Sequence, residues 1–568
     1  MSIVKSFVPV SLRGYQRSWL TGDLIAGATL AAVAIPETMG YTSIAQTPIV
    51  TGLYTVIFPT MLFVLLGSSR LLVVGADSAT AALLAAGLGA AAISGVTPGS
   101  QQWLAYCSVI ALMCGGLLII ARVFRLGFLG DFLSASVLVG FLTGVGVQVF
   151  SGQIPDMLGV PKGSGTWIEQ QWTMITSIPD LNWPTFAFAL GTLAIILGCK
   201  RFVPKVPGAI VAVILSIIIS AAVDAEADGV AMVGAVQGGF PPIGLPEGIS
   251  MSDIADNMAT LTAIAFSCFV LIIAQSAATS RSFAMKHGQP VDINRDIVGL
   301  SASNFAAGLS GTFVVNGSPT KTQILDEQKG RTQLANLTMS LIVLLVVLFF
   351  TGLLADMPKA VLGAIVFLIG VDLVDIKGLR LIAAVRKGEF VIAVITAIVV
   401  CAVGVEQGII LAIVVSILYI IKRQYTPNDY LVGVSKDGEP TYLPPTPGTQ
   451  SAPGLIIFRY DSELFYANAN RFVDDVEALI GAAPDPVEWL ILDASSLDDV
   501  DYSAGKALQG LLDYLEARSI TPVLARVDTS LLATLQKYGI DKRIGTDHIF
   551  GNLIDAYNAF EARAQPKA

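Results

Sequence analysis

Apolar runs of membrane-spanning length recur along most of the chain. A helix that crosses the roughly 30 Å hydrocarbon core of a bilayer needs about 20 mostly apolar residues. The alternation of apolar runs and short polar connections predicts fourteen spans between residues 23 and 423. These spans lie near residues 23–40, 44–66, 78–92, 102–123, 130–152, 184–200, 207–223, 258–281, 296–313, 318–328, 333–354, 357–374, 389–404 and 406–423.

Two of the predicted spans, 78–92 and 318–328, are short and interrupted by polar residues. Each is the third span of its half of the chain. Short spans at corresponding places in two halves are typical of inverted-repeat transporters, in which discontinuous helices meet near the middle of the membrane. The sequence therefore predicts a polytopic α-helical membrane protein with seven plus seven spans. The first transmembrane repeat covers 23–224 and the second covers 258–423.

Positive charge alternates between the connections. The long loop at 225–257 has no Lys or Arg. The other connections on the same predicted side of the membrane carry only Lys162 and Lys359. Because Lys and Arg collect in cytoplasmic connections, this pattern predicts a multi-pass protein of the cell (inner or plasma) membrane. Its N-terminal segment, 1–22, and its C-terminus are cytoplasmic, and the 225–257 loop is extracytoplasmic. The other connections hold Arg70, Arg122, Arg125, Lys200, Arg201, Lys205, Arg281, Lys286, Arg295, Lys329, Arg331, Lys377, Arg380, Arg386 and Lys387.

The composition changes after residue 423. Residues 424–453 are rich in Pro, Gly, Asp and Thr, which is typical of a linker. From 454 to 568, short apolar runs of strand type alternate with amphipathic helix patterns. Such alternation predicts a small soluble α/β domain. This tail has no Gly-rich phosphate loop and no catalytic constellation, so we expect no catalytic residue, no cofactor and no enzymatic activity.

Composition narrows the functional classes further. Only 14% of the residues are charged, whereas soluble domains have about 25%. No basic patch suited to nucleic acid occurs, and we set that partner aside. The two histidines and five cysteines show no metal-ligand spacing, so no metal site is expected. Membrane lipid is the expected surrounding of the spans.

Polar residues at the starts of the two short spans indicate an anion site. Ser78, Ala79 and Thr80 open the first, and the second opens with Gly317, Ser318 and Thr320, followed by Lys321. A helix N-terminus carries free N–H groups and about half a positive charge, which favours anions. Plain N-capping by Asp77 and Ser318 is the alternative interpretation. We expect Asp77 to cap its helix and to point away from a bound anion.

These residues belong to motifs that follow one another in a recognisable order. In that order and spacing the chain resembles, nearly end to end, the sulfate permease (SulP) family of anion transporters, which carry a C-terminal STAS domain. On this basis residues 454–568 are expected to be the STAS domain. The motifs are Ile35-Pro36-Glu37-Thr38-Met39-Gly40-Tyr41, Gly67-Ser68-Ser69-Arg70, Gly317-Ser318-Pro319-Thr320-Lys321-Thr322, Arg331-Thr332-Gln333-Leu334-Ala335, Phe465-Tyr466-Ala467-Asn468 and Asp501-Tyr502-Ser503-Ala504.

The resemblance implies a homodimeric secondary transporter with a core and a gate domain in each protomer. The anion would lie between the N-termini of the third and tenth spans, flanked by the first and eighth. This chain departs from the family at two positions. Lys321 stands where many members have Arg, and Gln275 stands where many have a carboxylate. Gln275 and its neighbour Ser276 could contact the substrate, or could be polar packing groups between helices.

Two further residues are candidates for a role in transport or its regulation. Glu37 lies deep in an otherwise uncharged run, and an intramembrane carboxylate is a functional hypothesis by default. We expect it to couple proton movement to anion transport, in place of the acid absent at Gln275; a structural Glu bonded across helices is the alternative. Ser503 matches the position that soluble STAS relatives phosphorylate, although we favour an ordinary helix start after Asp501 as its explanation.

Three functions fit these features to different degrees. The first is a proton-coupled secondary active transporter of small inorganic or carboxylate anions, of the sulfate, bicarbonate or dicarboxylate class. The second is an uncoupled anion channel or uniporter regulated by its STAS domain. The third is a nucleobase transporter of the same architecture, which usually has carboxylates on both the eighth and the tenth spans. Here Gln275 and Lys321 stand there instead.

Overall fold

A computed structural model describes residues 9–125, 135–163, 166–203, 206–234, 236, 238–425, 427–434 and 440–564. The chain forms two compact units, Met1–Ser416 and Ile417–Ala568. Parts of the predicted ranges 1–22, 23–224, 130–152, 225–257, 424–453 and 454–568 lie outside the described residues. The domain boundaries inferred from composition stay predictions.

The first unit is built almost entirely from helices. In its first half these are α1 (Leu20–Ala45), α2 (Ile49–Tyr54), α3 (Phe58–Leu66), α4 (Ser78–Ala91), α5 (Gln101–Val123), α6 (Ala135–Leu158), α7 (Trp167–Thr176), α8 (Trp183–Phe202) and α9 (Gly208–Val223). The second half has α10 (Met251–Asp256), α11 (Met258–Lys286), α12 (Ile293–Leu309), α13 (Pro319–Glu327), α14 (Leu334–Phe349), α15 (Lys359–Leu373), α16 (Ile376–Val385), α17 (Lys387–Ala402) and α18 (Val405–Tyr425), which runs into the second unit. Two short strands, β1 (Val73–Gly75) and β2 (Asn316–Ser318), precede α4 and α13.

Every predicted apolar run corresponds to a helix, with two differences. The run 44–66 is divided into α2 and α3, because the chain turns at residues 55–57 before Pro59 occupies the first turn of α3. Two amphipathic helices, α7 and α16, lie between spans and were missed because they are too short and too polar for a span pattern. Among the described residues, six helical stretches are long and apolar enough to cross a membrane by themselves, the shortest being the α2–α3 run.

The two halves pack against each other in a repeated way. Helix α1 of the first half packs on α14 of the second, and the equivalent pair with the halves exchanged, α11 and α5, is also in contact. In the same manner α5 packs on α12, while α14 packs on α3. This pairing of equivalent helices across the halves is the arrangement expected of an inverted repeat.

Glycines permit the closest helix contacts. A Cβ at Gly140 of α6 would lie 2.2 Å from the Ala393 carbonyl oxygen of α17, and one at Gly146 would lie 2.6 Å from the Gly370 carbonyl oxygen of α15. Small residues at such positions let backbones approach closely where lipid supplies no hydrophobic driving force. Helix α6 is therefore held against α15 and α17 along one side.

Two buried carboxylates accept hydrogen bonds from the loops that connect helices. Asp296 of α12 accepts hydrogen bonds from the Ser68 N–H (2.7 Å), the Ser69 N–H (2.9 Å) and the Ser280 hydroxyl (3.1 Å). Asp23 of α1 similarly accepts from the Arg331 N–H (2.7 Å) and the Thr332 hydroxyl (2.6 Å). Both acids are almost completely buried, so they stabilise the loops that lead into β1 and away from α13.

The second unit contains one six-stranded sheet in the order β4-β3-β5-β6-β7-β8. Its strands are β3 (Asp429–Val434), β4 (Pro440–Leu443), β5 (Leu455–Tyr460), β6 (Trp489–Asp493), β7 (Thr521–Ala525) and β8 (Ile549–Phe550). Its helices are α19 (Ala469–Gly481), α20 (Tyr502–Ala517), α21 (Thr529–Tyr538), α22 (Ile540–Ile544) and α23 (Leu553–Ala564). Strands β5 to β8 are parallel and β3 is antiparallel to β5. The predicted small sheet covered by helices is confirmed.

Replacing Asp296 with Ala tests whether its hydrogen bonds to the loop stabilise the fold. The Ser68 and Ser69 N–H groups would stay buried without an acceptor, at about 1–3 kcal/mol each. We expect the unfolding temperature of the purified protein in detergent to fall by several degrees. The matched Asp228→Ala variant removes an exposed acid and should leave it unchanged. Equal unfolding temperatures for the two variants would show that the Asp296 hydrogen bonds do not stabilise the fold.

Candidate anion-binding site

The starts of the two short helices are brought together by a pair of strands. β1 and β2 pair in antiparallel fashion, with Val73 opposite Ser318, Val74 opposite Gly317 and Gly75 opposite Asn316. All residues of both strands are buried. Because β1 leads into α4 and β2 leads directly into α13, the N-termini of these helices begin beside each other inside the unit. This arrangement agrees with the expected meeting of the third and tenth spans.

Both helix starts are capped by their own side chains. Asp77 Oδ1 accepts a hydrogen bond from the Ala79 N–H at 3.1 Å, and the Ser318 hydroxyl oxygen accepts one from the Lys321 N–H at 3.4 Å. The hydroxyls of Ser318 and Thr320 lie 3.1 Å apart. The capping interpretation therefore holds for Asp77 and Ser318. Thr320, by contrast, is exposed at the first turn of α13, where a solute could reach it.

Lys321 is completely buried at this junction. Its Nζ donates a hydrogen bond to the Ala76 carbonyl oxygen at 2.7 Å and lies 3.3 Å from Glu37 Oε2. It also lies over the Tyr41 ring, 4.7 Å from the ring centroid. A buried ammonium is costly unless it is paired, and here three groups from two segments compensate it. Lys321 thus connects α13 with α1 and with the chain just before α4.

Glu37 supplies the negative partner of Lys321. It follows Pro36 within α1 and is 8% exposed. Its Oε2 receives no well-oriented hydrogen bond from the part of the chain that the structure describes, although it lies close to the ammonium. Tyr41, one turn further along α1, faces the same carboxylate. Glu37 and Lys321 therefore form a close ion pair in which Glu37 Oε2 lacks a well-oriented hydrogen bond.

A chain of hydrogen bonds connects β2, α11 and the start of α4. The Gly317 N–H donates to the Ser276 hydroxyl (3.1 Å), which donates to Asn316 Oδ1 (2.7 Å). Asn316 Nδ2 then donates to Gln275 Oε1 (2.9 Å), and Gln275 Nε2 donates to Asp77 Oδ2 (3.3 Å). Gln275 and Ser276 are therefore polar groups bonded between elements, at the edge of the junction where an anion would lie.

Asp77 caps α4 as expected, and its second carboxylate oxygen turns toward Gln275, because Asn316 holds the Gln275 oxygen and thereby directs the amide nitrogen to Asp77. Its orientation relative to a bound anion stays a prediction. Asp77 also interacts electrostatically with Lys321 and Glu37. The sequence pattern indicated no role for Asn316 or Tyr41. The spacing of Tyr41, four residues after Glu37, was the available signal.

The structure groups the predicted site residues in one place with a single exception. The junction between the starts of α4 and α13 contains all the predicted site residues of the first unit. These are Glu37, Ser78, Ala79, Thr80, Gln275, Ser276, Gly317, Ser318, Thr320 and Lys321. Ser503 belongs to the second unit, where it is exposed in the first turn of α20. There Asp501 caps the helix by accepting a hydrogen bond from the Ala504 N–H at 2.8 Å. Within the described residues, no cluster of His, Cys, Asp and Glu suited to a metal ion occurs.

Comparison with known proteins identifies the family. The model of the sulfate permease family matches residues 20–396, and the STAS domain model matches residues 446–556. The chain belongs to the sulfate permease family. A probable sulfate transporter of Mycobacterium tuberculosis is 34% identical to this family member over 555 residues, which cover 98% of both chains. Sulfate transporter 1.2 of Arabidopsis thaliana is 27% identical, over 96% of this chain and 86% of its own.

Solved structures share the fold of this permease. The murine Solute Carrier 26 family member A9 anion transporter, in an inward-facing state, matches with a TM-score of 0.87 and 23% identity over 99% of this chain and 95% of its own. The transmembrane domain of a cyanobacterial bicarbonate transporter, BicA, matches with a TM-score of 0.59 and 23% identity over 71% and 97%. The family consists of sulfate permeases, which are transporters rather than enzymes.

A methyl group at Gly317 should disturb this permease site. A Cβ there would lie 2.8 Å from the Ser276 hydroxyl oxygen and 2.9 Å from a Leu72 methyl, and such overpacking costs about 1–3 kcal/mol. We expect Gly317→Ala to weaken the binding of radiolabelled sulfate by about tenfold. The control Gly191→Ala, in α8, meets nothing within 4 Å and should bind normally. Normal binding by both variants would place the site elsewhere.

Proposed function

We propose that this protein is a proton-coupled secondary active transporter of small inorganic or carboxylate anions, with sulfate as the leading candidate. The observation that carries the proposal is the buried ion pair of Lys321 and Glu37, placed where two helix N-termini meet. A cation in this position attracts an anion, and a carboxylate in this position must be neutralised before the anion can take its place.

The proposed cycle exchanges one partner of Lys321 for another. While Glu37 is ionised, its carboxylate is paired with the Lys321 ammonium at 3.3 Å, and its negative charge would repel a second anion. Protonation of Glu37 removes its charge, and the anion then binds Lys321 together with the hydroxyls and N–H groups at the starts of α4 and α13. Loss of that proton on the other side of the membrane restores the ion pair and expels the anion.

The chemistry of the site suits a small anion with several acceptor oxygens. The hydroxyl residues Ser78, Thr80 and Thr320 lie in the first turns of α4 and α13, and oxyanions accept hydrogen bonds from such groups at many angles. Several curated relatives are named sulfate transporters, which makes sulfate the first anion to test. Bicarbonate and dicarboxylates are the other members of the proposed substrate class.

The proposed setting is a homodimer in the cell membrane with its N-terminus and STAS domain in the cytoplasm. The charge distribution of the connections supports this orientation. Movement of a core containing α4 and α13 against a gate would expose the anion to each side in turn. Phosphorylation of the exposed Ser503, at a helix N-terminus that favours negative charge, is the proposed route by which the STAS domain is modified.

Replacing Glu37 with Gln tests proton coupling. The amide keeps the size of the side chain but does not titrate, so we expect sulfate uptake into proteoliposomes to lose its dependence on an imposed pH gradient. Uptake by the unaltered protein should rise when the outside is acidified. A Glu37→Gln protein that still responds fully to the gradient would refute this role. An unaltered protein that ignores the gradient would favour the uncoupled channel or uniporter.

Replacing Lys321 with Gln tests the cation. Loss of one partner of a buried, hydrogen-bonded charge pair costs about 2 kcal/mol or more, which is about thirtyfold in affinity. We expect equilibrium binding of radiolabelled sulfate to weaken by at least that factor. Lys359→Gln, which removes an exposed lysine at the start of α15, should bind as the unaltered protein does. Unchanged affinity in Lys321→Gln would contradict the proposed site.

A further inference from the structure

We propose that Asp77 carries a second proton, so that the transporter moves one divalent anion together with two protons. This inference rests on the proposed function and deepens it, because it specifies the charge of the substrate and adds a second proton-carrying residue. It arises from the arrangement of two buried carboxylates around one buried ammonium.

Four acidic residues are buried in the described part of the first unit, and they form two kinds. Asp23 and Asp296 each accept hydrogen bonds from several backbone and hydroxyl donors in loops. Glu37 and Asp77 instead share the surroundings of Lys321. The first two are each bonded to several donors of their own. The second two depend on a cation that the substrate also needs.

Asp77 keeps one oxygen available toward the site. Its Oδ1 serves as the helix cap for Ala79, whereas Oδ2 accepts only a 3.3 Å hydrogen bond from the Gln275 amide within the described residues. The Lys321 ammonium does not bond to Asp77 itself but to the carbonyl oxygen of Ala76, the preceding residue, at 2.7 Å. The Asp77 carboxylate thus directly follows the residue that binds the ammonium, and one of its oxygens is only weakly bonded.

The charges that face Asp77 can be counted element by element. Helix α1 presents Glu37 and Tyr41, α13 presents Lys321, and α11 presents the neutral Gln275. With both acids ionised the group carries one net negative charge. A divalent anion would add two more, which a buried site does not tolerate without compensation. Two protons, one on Glu37 and one on Asp77, return the group to its original net charge.

A monovalent anion would need only one of these protons. The presence of two carboxylates for one ammonium is therefore the charge complement of a divalent anion such as sulfate. Protonation also changes what Asp77 offers: its protonated Oδ2 donates a hydrogen bond toward an anion oxygen, while Oδ1 continues to cap α4. When the anion leaves on the other side, both protons leave with it and the two carboxylates face Lys321 again.

The test counts protons for each sulfate ion. The full-length protein is reconstituted in liposomes, and the ratio of proton to sulfate flux is obtained from the membrane potential at which net flux reverses at fixed gradients. We expect two protons per sulfate for the unaltered protein and one for Asp77→Asn, because Asn still caps the helix but does not titrate. The control Asp375→Asn alters a comparable cap, on the exposed start of α16, and should keep a ratio of two.

The outcomes separate this inference from the proposed function. A ratio of one in the unaltered protein, or an unchanged ratio of two in Asp77→Asn, overturns the role of Asp77 while proton coupling stands. A ratio of zero in the unaltered protein overturns both. If Asp77→Asn does not transport, proton uptake by the detergent-purified unaltered protein on adding sulfate decides instead. Uptake of two protons per bound sulfate supports the inference, and uptake of one or none contradicts it.

Discussion

The burial of the Lys321 ammonium is the constraint on which the rest of the site depends. A charged group inside a membrane protein must find its compensation within the protein. Lys321 obtains it from the Glu37 carboxylate, the Ala76 carbonyl oxygen and the Tyr41 ring. Each of these partners comes from a segment other than α13. The ammonium can therefore be stable only if α1 and the approach to α4 are held firmly beside it.

The scaffold meets this requirement with polar contacts rather than with apolar packing alone. The pairing of β1 with β2 fixes the relative position of the two helix starts. Asp23 and Asp296 secure the loops on either side of that pair. Gln333 adds hydrogen bonds from α14's start to the Ser69 and Leu72 carbonyl oxygens, just before β1. The residues of the family motifs are thus divided between holding the site and forming it.

Much of this architecture could be predicted from the sequence, because long apolar runs and alternating charge are local signals. The same holds for Glu37 and Lys321, since a lone charge within an apolar run is visible without a structure. The contact of Asp77 with Gln275 could not be predicted. It depends on Asn316 directing the Gln275 amide, a contact between residues about forty positions apart. The β1–β2 pair was also missed, since three-residue strands carry no pattern of their own.

The most direct measurement of the central claim is the position of a bound anion. Selenate has the shape and charge of sulfate, and its selenium atom can be located by anomalous scattering in crystals grown at acidic pH. We predict a selenium peak between the starts of α4 and α13, with an oxygen within hydrogen-bonding distance of Lys321 Nζ and with Glu37 displaced from it. A selenium peak elsewhere, with the Lys321–Glu37 pair intact, would rule out this anion site.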